Sequence, residues 1–536
     1  MDGYWFAALV PVLTLFLLVL LGRLKTTWSA AVTLATALVL ALTVFAAPVD
    51  TVATAAAKGL WLGTWILCVV VPALLLYRLA HAAGMDRLGE TFTRFLPRRT
   101  DRLLLLAWIF PSFVQGVAGF GTPIAVCAPL LLMLGYDKVR AVVLPLVGYH
   151  WSVTFGSMGS SFYMASLTAG FSGSSQDTLA LEAGVMLAVN AIVAGLLVLL
   201  IDGGLRQLRR GWLLLVTAGA AMAGTLVVVA TAVPAIASLA AGTAGLLVLT
   251  GKRLVETRRT RATVPDSDDA DTPDTSDADS HQESPAAAVT PAASATVLAP
   301  YGFLLLVVLP VFLTPPIRDF VRERFELAPS FGRTVTDRGW VNEPVDHYLP
   351  IPLLGHPGFY ILLACLLGWI TYRVVGLWRG VDTGHVVRSW LSAVAGSAPT
   401  TLMLGTLAMV LVDSGMVTTL ADGIADTAGS AYPVFSPVVG ALGSFMTGSS
   451  TSSNALFAAL QAEVAGRVGV EPELLVAAQA TGANVGNSIA PVIILIGATA
   501  VGALDRVGQI TRRALLPMTV LLAVVIGGVV VQASVF

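Results

Sequence analysis

Four short stretches of the chain carry residue types that could hold a small polar or charged molecule. They read QGVAGFGTPIAV at 115–126, VTFGSMGSS at 153–161, TGSSTSSN at 447–454 and TGANVGNSIAP at 481–491. Each mixes Gly with Ser, Thr or Asn, and each interrupts an apolar run. Gly loosens a helix and Pro ends or kinks one. A helix that restarts after such a break exposes first-turn N–H groups with no intrahelical acceptor, and its N-terminus carries partial positive charge that suits anions. Hydroxyls and amides add donors and acceptors. The set fits a small anion, and the same oxygens with freed backbone carbonyls could hold Na⁺. The candidate contacts are Gly116, Gly119, Gly121 and Thr122 in the first break and Gly156, Ser157 and Ser160 in the second. Ser449, Thr451, Ser452, Ser453 and Asn454 stand in the third, and Thr481, Asn484 and Asn487 in the fourth. Small-residue helix packing is the competing use of such glycines.

Composition says where these breaks sit. The chain has 536 residues, 56% hydrophobic and 12% charged, with mean hydropathy +0.82. A soluble domain carries about 25% charged residues. Apolar runs long enough to cross hydrocarbon recur from end to end, so the expected class is an all-α polytopic membrane protein. The run at 4–21 lacks a basic leader and reads as a first span rather than a cleaved signal. A net charge of −1 offers no footprint for nucleic acid. Cys68, Cys127 and Cys365 lie far apart in apolar segments, without metal or redox spacing.

Basic loops orient the spans. Arg23 and Lys25, the cluster from Arg87 to Arg102, Lys138 and Arg140, Arg206 to Arg210, and Arg506 to Arg513 read as cytoplasmic. The termini then fall outside. Basic residues flank the first hairpin, 103–134, on both sides, whereas the second, 434–460, has only Arg467 near it. The first hairpin therefore enters from inside and the second from outside. Each half reads as three spans, a broken hairpin, a broken span and a full span. That order is expected to be an inverted-topology repeat of about 12 full spans plus two re-entrant-type hairpins. The expected division is a first repeat at 1–202, a connecting helix pair at 203–251, a disordered cytoplasmic linker rich in Asp, Ser, Pro and Ala at 252–296, and a second repeat at 297–536. Lys58, Glu182, Asp413 and Glu463 lie near span ends, where snorkelling explains them. The 315–357 loop reads as a solvated external cap.

GVAGFGTPIAV, VTFGSMGSS, GSSTSSNALFAALQ at 448–461 and the 482–491 stretch resemble the L-lactate permease family, over most of the chain apart from the linker. GSSTSSNALFAALQ is the most specific piece. The resemblance implies an inner-membrane carrier taking up lactate or glycolate with protons, and its wider superfamily implies paired hairpins and elevator-like movement. This sequence departs from the pattern. Gln115 stands where members often have Glu, and Ser450 where they often have Asp. The last broken span reads GNSIAPV, through Asn487 and Val492, in place of GKMISPQ. Tyr149, His150, Trp151 and Ser152 replace the usual Asn-Thr-Ala-Pro.

An ionisable side chain inside a membrane is functional by default. His150, just before the second break, is the candidate for binding a carboxylate or relaying a proton; a His hydrogen-bonded within the bundle is the plain alternative. The expected activity is secondary active transport of a small monocarboxylate, with a proton or Na⁺ as the coupling partner and no cofactor otherwise. A Na⁺-coupled symporter of another organic anion stays open, as does self-association. An intramembrane enzyme is the distant alternative: His150 near Ser152 and Ser157 is its only hint, without an acidic partner.

Overall fold

The computed structural model describes residues 3–20, 26–85, 96–119, 121–262, 296–322 and 325–535. They are almost all helical. Helices α1 (Gly3–Leu20), α2 (Thr26–Thr43) and α3 (Val49–Ala82) come first. A hairpin follows, made of α4 (Arg99–Leu104), a π-turn at Leu105–Ile109, α5 (Phe110–Val117) and α6 (Thr122–Met133), its arms packed on each other. Then come α7 (Lys138–Tyr149), the irregular second break, and α8 (Ser160–Thr168).

The next helix, α9 (Ser174–Ala232), has 59 residues. At about 1.5 Å per residue it would span roughly three hydrocarbon thicknesses if straight. It is not straight. Gly203 (φ −158°, ψ 25°) and Gly204 (φ 60°, ψ −149°) leave helical geometry. The chain folds back there: Gly195 lies against Leu215, Gly211 against Leu199 and Gly219 against Ile192. α10 (Ala237–Ala262) continues as helix through Lys252–Arg258, beyond the expected start of the linker. The rest of that linker, 263–295, lies outside the described residues, as do Arg23, Lys25, Arg87 and Arg94.

The second half runs α11 (Ala299–Leu313), α12 (Pro315–Arg322), α13 (Pro357–Val375), α14 (Thr383–Asp413) and the short α15 (Met416–Ala428). A second packed hairpin follows, α16 (Ser436–Thr447) and α17 (Ser450–Val468), then α18 (Pro472–Ser488), α19 (Pro491–Ala500) and α20 (Val507–Val535). Among the described residues seven helices are long and apolar enough to cross a bilayer, or eight if the α11–α12 pair, bent by 100°, counts as one. This falls below the expected 12. Doubly crossing α9 counts once by this measure, and α1, α2 and α6 are shorter apolar helices.

Two close helix contacts organise the bundle. α3 crosses α14 where Gly59 and Gly63 meet the backbone of Leu402, Gly405 and Thr406, with no room for a Cβ at Gly59. This is the small-residue spacing that lets membrane helices touch. Beside it Lys58 Nζ donates to Asp413 Oδ2 at 2.9 Å, both side chains being more than nine-tenths buried. Expected at the interface, these two residues instead lie inside and neutralise each other across α3 and α14. In the second contact, Gly440 on α16 and Gly482 and Gly486 on α18 bring those backbones together.

The 325–356 segment is a folded lid on the first contact. Its short antiparallel pairs join Glu326–Leu327 to Ile351–Pro352 and Thr334–Val335 to Val341–Asn342. Asn342 Nδ2 donates to the Asp413 carbonyl at 2.9 Å, and Trp61 Nε1 to the Leu349 carbonyl at 2.9 Å.

A buried ion pair is a weak source of net stability, but removing one partner strands a charge at a cost of about 3–5 kcal/mol. Lys58→Met and Asp413→Leu are each expected to lower the melting temperature of purified protein sharply. The double variant is expected to recover much of the loss, and thermal unfolding of all four proteins checks the order.

Candidate functional site

Each of the four breaks starts a new helix: α6 at Thr122, α8 at Ser160, α17 at Ser450 and α19 at Pro491. The first turns of all four converge. One cavity, of about 270 Å³, is walled by Ser160, by Thr447, Gly448, Ser449, Thr451 and Ser452, by Val492 and Ile493, and by α14 from Gly396 to Leu404. Its neighbour, of about 410 Å³, is walled by Val117, Ala118, Gly119, Thr122 and Ser157, by α3 from Val70 to Arg78, and by Ala393, Gly396 and Ser397. Val70, Gly396 and Ser397 belong to both walls, so the cavities adjoin along α3 and α14. Among the described residues neither wall contains an acidic side chain. Four positive helix ends, hydroxyls and no carboxylate make a place for an anion.

Local chemistry explains the shape of each tip. Gly121 (φ 83°) and Gly448 (φ 68°) turn the chain in the left-handed region. Each packs on α19 where a Cβ would overlap a side chain, Gly121 on Ile496 and Gly448 on Val492. These two positions are one helical turn apart, so α19 sets the spacing of the hairpin tips. Ser449 caps α17, its Oγ accepting from the Ser452 N–H at 3.2 Å. The Gly119 N–H donates to Ser157 Oγ at 2.8 Å, tying the first hairpin to the second break.

The remaining polar groups join breaks to each other. Thr154 Oγ1 donates to Asn484 Oδ1 at 2.9 Å. Asn454 Nδ2 donates to the Ser161 carbonyl at 2.8 Å and to Ser161 Oγ at 3.0 Å, while its Oδ1 accepts from Gln479 Nε2 at 3.0 Å. Ser453 Oγ donates to the Gly440 carbonyl at 2.9 Å. Of the residues read as contacts, then, Gly119, Thr122, Ser157, Ser160, Ser449, Thr451 and Ser452 line the two cavities. Ser453, Asn454 and Asn484 are buried ties between helices. Gly116 packs on the Ser238–Leu239 backbone and Gly156 against Ser152 and Gln115. Thr481 and Asn487 are buried in α18 and line neither cavity.

His150 also lines neither. Its Nδ1 lies 2.9 Å from the Val147 carbonyl and its Nε2 3.3 Å from Asn190 Oδ1. Asn190 Nδ2 donates to the Met186 carbonyl at 3.1 Å, which fixes the amide so that its oxygen faces the ring. Both ring nitrogens therefore meet acceptors. Three contributors escape a reading of the breaks alone. Arg78 lines the larger cavity from the end of α3, Gln479 anchors the Asn454 tie, and α14 supplies a wall. The run GSAPTT at 396–401, small and polar with a Pro inside a span, is the signal that marks α14.

The family model described as L-lactate permease matches residues 5–536. The L-lactate permease of Escherichia coli strain K12 is 28% identical over 528 residues, covering 95% of this chain and 93% of that one. Glycolate permease GlcA of the same strain is 28% identical, covering 94% and 91%, and the L-lactate permease of Bacillus subtilis strain 168 is 26% identical, covering 94% and 92%. Among solved structures the Alcanivorax borkumensis YdaH transporter aligns with a TM-score of 0.44 and 17% identity, over 86% of this chain and 85% of that one.

Ties and lining separate experimentally. Asn454→Ala removes three buried hydrogen bonds, to the Ser161 carbonyl, to Ser161 Oγ and from Gln479 Nε2, a cost of about 1–3 kcal/mol, and is expected to lower the melting temperature. Ser452→Ala, at a cavity wall, is expected to leave melting within about a degree while weakening ligand binding.

Proposed function

The chain belongs to the L-lactate permease family, and on that premise we propose that it is a secondary active carrier of a small monocarboxylate, lactate or glycolate. The observation that carries this reading is the convergence of four helix N-termini on adjoining cavities whose walls hold no carboxylate. In it the substrate carboxylate exchanges its water shell for first-turn N–H groups and for the hydroxyls of Thr122, Ser157, Ser160, Thr451 and Ser452. Neutral donors suffice because the helix ends supply the positive potential. This accounts for the absence of the acidic and basic residues common in the family at positions 115, 450 and 487.

The two halves are proposed to be inverted repeats with both termini outside and the 252–296 linker inside. The location of the cavities supports an elevator-like movement. They lie where the α3–α14 pair meets the hairpins and broken spans, and α14 offers Ala393, Gly396, Ser397 and Thr400 there. Small side chains allow one group to slide past the other without unlocking large knobs.

The proposed coupling ion is the proton, with His150 as its carrier. Its two ring nitrogens face the Val147 carbonyl and Asn190 Oδ1, so a protonated ring would find an acceptor for each N–H. A second reading, Na⁺ coupling, is favoured by Gln479 Oε1 and Thr481 Oγ1, buried α18 oxygens without a hydrogen-bond partner.

Uptake of labelled lactate and glycolate into proteoliposomes tests both. The expected result is accumulation under an imposed proton gradient alone, with His150→Gln flattening the pH dependence. Accumulation that requires Na⁺ would overturn the proton reading, and no movement of either acid would overturn the substrate.

A further inference from the structure

Two lysines drawn into this bundle have acidic partners. Lys58 meets Asp413, and Lys252 Nζ donates to Asp101 Oδ1 at 2.6 Å. Arg78 differs. Its Nε is buried with no hydrogen-bond partner. The contact found for its guanidinium is with the ring of Tyr77 next to it in sequence, 5.7 Å from the centroid. No acidic side chain among the described residues forms an ion pair with it.

Among the described residues Arg78 is also the only charged one in the wall of the 410 Å³ cavity. That cavity follows one face of α3 through Val70, Ala73, Leu74, Tyr77 and Arg78, a distance of about 12 Å along the axis. Its wall also includes Gly119 and Thr122 of the first-hairpin tip and Ser157 of the second break. Val70 continues into the neighbouring cavity, where Ser449, Thr451 and Ser452 face inward. One guanidinium thus marks one end of a path whose other end is lined by hydroxyls and helix N-termini.

We infer that Arg78 is a carboxylate-binding residue, forming with Tyr77, Gly119 and Thr122 a second subsite for the transported acid, from which it passes to the hydroxyl-lined cavity beside Ser452. The inference rests on the monocarboxylate reading above. Its physical basis is the planar fork of donors on Arg, which matches a carboxylate with two parallel hydrogen bonds. A neutral amide of the same shape lacks the charge and one acceptor, so this subsite discriminates acids from amides. An arginine that merely reached toward the interface would have no such preference.

The test is equilibrium binding of labelled L-lactate and glycolate to the purified full-length protein, with lactamide as competitor. Wild type is expected to bind the acids and ignore lactamide. Arg78→Gln is expected to raise the half-saturating concentration about tenfold, the size of one lost charge-assisted pair, and to narrow the preference for acid over amide to the part that the helix ends supply. Arg78→Lys keeps the charge and is expected to stay within about threefold. If Arg78→Gln folds and binds the acids as wild type does, the assignment of Arg78 is overturned while the monocarboxylate reading stands. If wild type binds neither acid, that reading fails and Arg78 loses its ligand with it. A measurement on wild type alone covers the case in which Arg78→Gln does not fold. Lactate is expected to slow modification of Arg78 by an arginine-specific dicarbonyl reagent, followed by peptide mass spectrometry. An unchanged rate at saturating lactate would overturn the proposal.

Discussion

Hydrocarbon cannot hydrogen-bond a bare peptide group, and the rest of this structure depends on that constraint. Non-helical backbone at membrane depth survives only when protein surrounds it or a polar cavity opens beside it. Four breaks fall inside apolar runs here, and each meets the constraint in two ways at once. Its buried polar side chains tie it to another break, as Asn454 ties the second hairpin to Ser161 and Thr154 ties to Asn484. Its new helix end is left to face a cavity. The requirement that keeps the bundle dry elsewhere collects four positive helix ends in one place, which is why an anion rather than a neutral solute fits.

The supporting frame has a different character. α3 and α14 approach until their backbones touch at Gly59 and Gly405, and the Lys58–Asp413 pair sits beside that crossing under the lid around Asn342. The hairpins and broken spans form their own close contact through Gly440, Gly482 and Gly486. Between the two groups the wall is made of short side chains and open volume. The cavities lie along the boundary between these two groups.

Much of this was legible in the sequence because Gly, Pro and hydroxyl residues inside apolar runs have few explanations. The four breaks and the two hairpins follow from that pattern. Which polar residues face the ligand was less legible, for a geometric reason. A helix turns about 100° per residue, so the run Ser449–Asn454 cannot present every side chain to one cavity. Ser449, Thr451 and Ser452 face it, while Ser453 and Asn454 turn away into α16 and α8. Pairing across 355 residues hid the Lys58–Asp413 bridge, since each residue alone looks like an interfacial charge. Arg78 was hidden likewise: its role depends on a cavity that only the packing of α3 against the first hairpin creates.

The central claim is that the converging helix ends hold the carboxylate. The most direct measurement is a cryo-electron microscopy structure of the full-length protein with saturating L-lactate. The account predicts density for the acid bounded by the first turns of α8 and α17, its carboxylate within hydrogen-bonding distance of Ser160, Thr451 or Ser452, or in the adjoining cavity against Thr122 and Arg78. Density instead in the separate cavity beneath the lid, against Trp65, Tyr163 and His356, with the helix ends left to water, would contradict it.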